Sequence, residues 1–331
     1  MVNRDINFSL WLDFVERDYL KNEFSKLIEN GVINGATSNP SIFASAITTS
    51  PAYKEQLASL EGKTPKQKYE ALAIEDIKSA ALALRECYDI GNDGYISIEV
   101  DPFLSNNTQG TIEEGKRLFA AIGEPNVMVK VPATEAGYDA MTELLSTGIS
   151  VNATLIFSPK QAKKCLKAMK KGLDAFEASG GGRCEAVISV FVSRFDRMLD
   201  SDLEQEGLDI SLTGIYNAAT IYNLIESNHT PSVRTLFAST GVKGNDLSAE
   251  HYMKELLAPH SVNTAPLATI ESYVASDASA AKLPIDDQVL SGYFTKLEDN
   301  GFDMDAIYAQ LLREGLEAFE TSFQEMLDTL K

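Results

Sequence analysis

The sequence predicts an α/β fold of the (β/α)8, or TIM, barrel type with additional C-terminal helices. Three observations predict it. Short segments rich in β-branched and apolar residues alternate with longer segments of helical periodicity, the pattern of a parallel sheet covered by helices. Eight such strand segments can be placed along the chain. The 331 residues also exceed the roughly 250 that such a barrel needs, and the surplus collects after the last strand.

Strands are expected at 8 to 14 (FSLWLDF), 33 to 39 (INGATSN), 95 to 101 (YISIEVD) and 127 to 132 (VMVKVP). The remaining four are expected at 150 to 157 (SVNATLIF), 186 to 192 (AVISVFV), 234 to 240 (RTLFAST) and 261 to 266 (SVNTAP). Between them, residues 18 to 30 carry Leu20, Phe24, Leu27 and Ile28 on one helical face. That helix runs into Gly31, the residue type that best tolerates a left-handed C-terminal cap. Residues 65 to 88 open with Pro65 in the first turn and are rich in Ala and Leu, and residues 160 to 179 end at Gly180 to Gly182. The tail reads as three helices, 269 to 281, 286 to 299 and 303 to 330, expected to pack over the barrel or its mouth. No linker, fixed-period repeat or composition shift divides the chain. A single barrel domain over 1–331 is expected, with 269–331 as a helical extension packed on it.

Composition narrows the function classes. The three cysteines, Cys87, Cys165 and Cys184, are far apart and form no CxxC pair, which predicts reduced thiols rather than a disulfide framework or thiolate metal site. The three histidines have no metal-binding spacing and offer little to a Ser/His/Asp triad. The N-terminus mixes charges into its apolar stretch, and no apolar run reaches about 18 residues, so neither a signal peptide nor a membrane span is expected. A net charge of −19 without a basic block argues against nucleic acid or an anionic membrane as partner. An anionic substrate would have to be met by a local cation or by backbone N–H donors.

Barrel strands point alternate residues to the helices and to the lumen, which is normally filled by branched apolar side chains. Here the inward positions are polar near the strand ends. In YISIEVD, Ile96, Ile98 and Val100 share one face, leaving Ser97, Glu99 and Asp101 on the other. In VMVKVP, Lys130 stands opposite Val127, Val129 and Val131. Val151, Ala153 and Leu155 alternate with Asn152, Thr154 and Ile156, and Asp13 is flanked by Leu12 and Phe14. Any one of these has an ordinary structural explanation as an edge residue or a paired group. Together they place a lysine, carboxylates and neutral donors from different strands at the C-terminal mouth, where active sites of this fold sit.

A lysine so placed has a specific use. Its neutral amine attacks a carbonyl, and the resulting iminium is an electron sink for C–C cleavage that needs no metal. A carboxylate must then take the hydroxyl proton, and a second acid/base group must manage imine formation and hydrolysis; Asp13 and Glu99 are the candidates.

At this point the motifs resemble those of the transaldolase family over most of the chain. GATSNPSIF is similar to the family's second-strand Thr-x-Asn-Pro-Ser theme, VMVKVPAT to the strand with its Schiff-base lysine, and ISIEVDP to the strand with its glutamate. VNATLIFS, ISVFVSRFDR, LFASTGVK and SVNTAPLAT follow in family order, the last two as in its longer-chain branch. The resemblance implies reversible transfer of a dihydroxyacetone unit from sedoheptulose 7-phosphate or fructose 6-phosphate to erythrose 4-phosphate or glyceraldehyde 3-phosphate. This is the non-oxidative pentose phosphate reaction. It implies Lys130 as Schiff-base lysine, Asp13 as general base and acid, and Glu99 with Thr154 holding a water. Asn39 and Asn152 would bond the donor hydroxyls, and Ser189 and Arg194 the phosphate, with Phe191 shaping the pocket. Arg194 could instead form a surface ion pair with Asp196 or Asp200. The family often has a second cation, an arginine, at the end of the seventh strand, where this segment reads ASTGVK; either Lys243 takes that role or Ser239 and Thr240 supply hydroxyls. No cofactor and no metal are expected, and phosphorylated sugars are the partners of a cytoplasmic monomer or homodimer. The nearest rival is a simple class I aldolase that releases free dihydroxyacetone. A silent sugar-phosphate sensor is a second rival, though neither the lysine nor an acid/base partner is missing.

Overall fold

Alternation along each strand decides the architecture. In the computed structural model, which describes residues 2–244, 247–276 and 278–331, eight strands form one closed parallel barrel in sequence order. They are β1 (Phe8–Asp13), β2 (Gly35–Thr37), β3 (Ile96–Glu99), β4 (Val127–Pro132), β5 (Val151–Ile156), β6 (Ala186–Phe191), β7 (Val233–Ala238) and β8 (Ser261–Ala265). Closure is made by β1 and β8, which pair in parallel from Phe8↔Ser261 to Leu12↔Ala265. Outward residues such as Ile96, Ile98, Val129, Val151 and Ile188 pack against the surrounding helices. Inward residues divide by height. The waist is apolar, built from Trp11, Met128, Val187, Leu236 and Val262.

Trp11 fits there because its β2 partner is Gly35: a Cβ at that position would lie 2.3 Å from the indole nitrogen. Below the waist the indole N–H donates to Asp93 at 2.8 Å, and Arg234 holds both oxygens of that carboxylate at 2.8 and 3.1 Å. Arg234 and Asp93 are both buried, so each compensates a charge that would be costly alone.

The helices start and stop where their caps require. Thr64 and Ser158 form capping boxes with Gln67 and Gln161, each followed by proline in the first turn. Gly31 ends its helix in the left-handed conformation (φ +64°). Three expectations are modified. The helix expected at 18 to 30 is interrupted by a π-helical turn, Leu20–Phe24. The one at 65 to 88 divides at Leu84 into Pro65–Ala83 and Arg85–Asp89. The first tail helix is Leu267–Ala275 rather than 269 to 281; Asp277 lies outside the described residues, and the segment before Pro284 is not helical.

The strand alternation fails once. Between Ala153 and Ile156 the β5–β6 register shifts, and Leu155 takes φ +59°. One residue is spent in the bulge, so Leu155 joins the inner cluster while Ile156 turns outward to the helices, the reverse of the simple two-residue period. The last helix, Met304–Thr329, packs on the helix Pro40–Thr49, on the turn Pro102–Leu104 and on β5. Gly315 brings it close: a Cβ there would lie 2.9 Å from Leu155 Cδ2. Among the described residues no helix is long and apolar enough to cross a membrane.

Candidate active site

Parallel register sets the first geometry. Glu99 pairs with Lys130 across β3 and β4, Lys130 with Asn152 across β4 and β5, and Pro132 with Thr154. The side chains of Glu99, Lys130 and Asn152 therefore rise side by side at one height. Lys130 Nζ donates to the Ser38 carbonyl at 3.2 Å and lies 3.3 Å from Glu99 Oε2, both residues being 5% exposed. Ser38 is itself pinned, its hydroxyl donating to the Ser97 carbonyl at 2.8 Å.

Burial pushes the Glu99 carboxyl up to about 7, against the opposing pull of the Lys130 ammonium, while the nearby Asp13 charge adds to the rise. Asp13 is also raised, mainly by burial, and is held down in part by Lys130 and by a hydrogen bond from Thr37. The Thr37 hydroxyl lies 2.7 Å from Asp13 Oδ1 and 2.7 Å from the Thr264 hydroxyl, so a chain of three groups from β1, β2 and β8 fixes the carboxyl. On the other side, Ser189 Oγ donates to Asn152 Oδ1 at 2.6 Å, and Asn152 Nδ2 donates to Ser97 Oγ at 3.0 Å.

These groups surround a cavity of about 200 Å³ at the C-terminal mouth, lined among others by Asp13, Thr37, Asn39, Lys130, Thr154, Ser189, Phe191, Arg194 and Ser239. Larger hollows elsewhere, including one at the opposite face around Arg4, Glu86 and Tyr273, contain no comparable set of strand-end groups among the described residues. Thr154 is fully buried, yet its hydroxyl finds no hydrogen-bond partner among the described residues, which leaves it free for a water or a ligand. Asn39 caps the helix Pro40–Thr49 by accepting from the Ile42 N–H at 3.0 Å, which orients its side chain at the cavity edge.

Arg194 opens the helix Ser193–Gln205, whose start has no side-chain cap. Its guanidinium lies 5.2 Å from the centre of the Phe191 ring, and that ring packs on Phe157. Burial and the neighbouring Arg197 both lower its pKa, and Glu314 attracts it only weakly. The surface pairing with Asp196 or Asp200 is not formed. Asp196 accepts from the Gly214 N–H at 2.9 Å, and Asp200 from Ser211 at 2.9 and 3.0 Å. A forked cation beside an open helix N-terminus, without a carboxylate partner among the described residues, is suited to an anion.

Three expected residues do not line the cavity. Glu99 and Asn152 stand behind its wall, each touching a residue that does line it. Lys243 is exposed in the loop after β7. Ser239 does line the cavity: its backbone turns at φ +56°, and its hydroxyl lies 3.0 Å from that of Ser193. Thr240, by contrast, is fully buried, donating to Asn263 Oδ1 and the Thr264 carbonyl.

Thr37, Thr264 and Phe319 also line the cavity, and the sequence reading passed over them. The two threonines were available from strand parity, since each sits two residues beyond an inward position of its strand, Gly35 and Val262. Phe319 had no such signal, because it arrives from the last helix; its ring centre lies 5.6 Å from Lys130 Nζ.

Comparison with known proteins matches residues 10–330 to a family described as transaldolase/fructose-6-phosphate aldolase. A protein of Campylobacter jejuni named transaldolase is 46% identical over 98% of this chain and 99% of its own length. One of Helicobacter pylori with the same name is 44% identical over 97% of this chain and 99% of its own.

Proposed function

We propose, from the premise that the chain belongs to the transaldolase/fructose-6-phosphate aldolase family, that it moves a three-carbon ketol unit between sugar phosphates through an imine on Lys130. The observation that carries this reading is one buried amine set between two carboxyls at a barrel mouth, with a guanidinium on the same cavity that has no carboxylate partner among the described residues. Near full-length relatives named transaldolase support the transfer reaction over simple binding.

The donor is sedoheptulose 7-phosphate or fructose 6-phosphate. Its C2 carbonyl condenses with the neutral Lys130 amine, and one water leaves through a carbinolamine. Glu99, beside Nζ, and the unpartnered Thr154 hydroxyl serve that water. Asp13 then takes the proton of the C4 hydroxyl, the C3–C4 bond breaks, and its electron pair passes into the iminium to give an enamine and a free aldose phosphate. The imine is the electron sink, so the steps as written balance without a cofactor. In the second half, the enamine C3 attacks the carbonyl of erythrose 4-phosphate or glyceraldehyde 3-phosphate while Asp13 returns the proton. Hydrolysis then frees the new ketose.

Asn39 holds the fragment's hydroxyls together with Ser189, whose hydroxyl donates to Asn152, the strand neighbour of Lys130, and so stands by the fragment and not at the phosphate where the resemblance put it. Arg194, stacked on Phe191, takes the phosphate with help from Ser239 in place of the family's second arginine; Lys243 is too exposed in this conformation to be the better choice. A cytoplasmic enzyme, working as a monomer or homodimer, belongs to the same reading. The three free, buried cysteines, Cys87, Cys165 and Cys184, support it.

The test is borohydride reduction in the presence of fructose 6-phosphate, followed by peptide mass mapping. A three-carbon or six-carbon adduct on the peptide holding Lys130 is expected. Lys130→Arg, which keeps the charge but forms no imine under these conditions, should lose both adduct and turnover while still folding. An adduct on another lysine would refute the assignment.

A further inference from the structure

The amine has an apolar cover that does not come from the barrel strands. Lys130 Nζ is approached by the Ser38 carbonyl and by Glu99, both polar and both from the sheet or its loops. The Phe319 ring stands over it from the last helix, lines the same cavity and is only 8% exposed. That helix is fastened to the barrel next to the ring. Phe323, one turn on, meets Tyr69 edge to face at 5.4 Å and Phe103 at 6.2 Å, and Ser322 accepts a hydrogen bond from Ser41 at 2.9 Å. The ring is thus held by packed helix and not by a loop.

We propose that Phe319 keeps water from the Lys130-bound fragment and so sets how that fragment divides between transfer and loss. The inference rests on the Schiff-base reading above. After the first aldehyde leaves, the enamine has two fates. It can attack an acceptor aldehyde, or its C3 can be protonated to restore the iminium. In the second case water adds at C2, the C–N bond breaks, and free dihydroxyacetone and the free amine result. The second route needs only a proton and a water, both far more abundant than any sugar phosphate. Productive transfer therefore requires that water reach C2 slowly until the acceptor is bound. An aromatic face suits this position because its negative quadrupole tolerates a cation at Nζ, whether ammonium or iminium, while offering no hydrogen bond to hold a water.

The experiment compares the parent with Phe319→Ala, which opens the cover, and Phe319→Gln, which keeps most of the reach but offers water a polar partner. Each is given fructose 6-phosphate with saturating erythrose 4-phosphate. Free dihydroxyacetone and sedoheptulose 7-phosphate are quantified together, and borohydride trapping is run in parallel. The ratio of the two products describes two fates of one covalent species, so it does not depend on how much enzyme is folded or active. An increase of about tenfold or more in the fraction lost as dihydroxyacetone, with the adduct still on Lys130, is expected. An unchanged ratio in either variant overturns the inference and leaves the Schiff-base reading intact. Should the alanine variant not fold, the glutamine variant decides alone by the same criterion. Absence of any Lys130 adduct in the parent would overturn both.

Discussion

Replacing Arg194 by alanine separates substrate binding from chemistry. The guanidinium has no carboxylate partner among the described residues, so its removal strands no buried opposite charge, unlike the loss of one member of an internal ion pair. What the folded chain loses is the contact with the Phe191 ring at 5.2 Å, about 0.5–2 kcal/mol for a partly buried pair. What the complex loses is a charged hydrogen bond to phosphate, about 1.5–3 kcal/mol, or about tenfold to 150-fold in affinity. Donor and acceptor phosphates occupy the same place in turn, so KM for fructose 6-phosphate and for erythrose 4-phosphate should both rise within that range, with kcat changing less. Steady-state kinetics with fructose as a second donor supply the control. Fructose carries no phosphate, so its kcat/KM should be nearly equal in parent and variant. A parallel fall for fructose would show that Arg194 shapes the site and does not bind the phosphate, and an unchanged KM for fructose 6-phosphate would remove it from the site altogether.

Four further expectations follow from the structure. Burial raises Glu99 from 4.5 to about 7, so the native chain binds this proton more tightly than the unfolded one. The resulting stabilisation is complete below the unfolded value and is lost as pH rises through about 7; the shift is worth about 3 kcal/mol at most. Urea denaturation at about pH 4.5 and about pH 8 should therefore show Glu99→Gln gaining on the parent at the higher pH, and an equal difference at both would contradict it. The same carboxyl, needed as a base, should give kcat/KM a rising limb near pH 7 that is absent in Glu99→Gln. Asp13→Ala should still form the reducible Lys130 adduct but hold it as the uncleaved six-carbon species, seen by mass; a three-carbon adduct forming at the parent rate would dismiss Asp13 as the base. Gly35→Ala should destabilise the barrel by about 3 kcal/mol or more, because its Cβ would lie 2.3 Å from a rigid indole walled in on all sides. A denaturation midpoint equal to the parent's would mean that Trp11 can move.

The barrel was legible in the sequence because its evidence is local. Period-two alternation in ISIEV and VMVKV placed Glu99 and Lys130 inward before any pairing was known, and the adjacent strands then brought them to 3.3 Å. Asp101 did not follow. Its strand ends at Glu99, and the carboxylate instead caps the turn Pro102–Leu104 and binds Lys66 at 2.6 Å. The bulge at Leu155 was hidden because a leucine with positive φ carries no compositional mark, unlike a glycine in the same conformation. Arg194 was read correctly as a cation near a helix start, but its freedom from Asp196 and Asp200 depends on Gly214 and Ser211, which a linear reading cannot rank. Phe319 lay furthest from view. Its approach to Lys130 depends on where a 26-residue helix crosses the mouth, and so on Gly315 and on the aromatic contacts of Phe323.

The arginine–aspartate pair beneath Trp11 has a kinetic corollary. With the waist filled by large side chains and its lower end sealed by charge, the barrel is a blind vessel with a single doorway. The first aldehyde must depart by the path along which the second arrives, and the fragment left on Lys130 waits between the two events. Velocity plots against one sugar at several fixed levels of the other should accordingly be parallel lines, the ping-pong pattern, with departing and incoming aldoses competing for the same modified form of the protein.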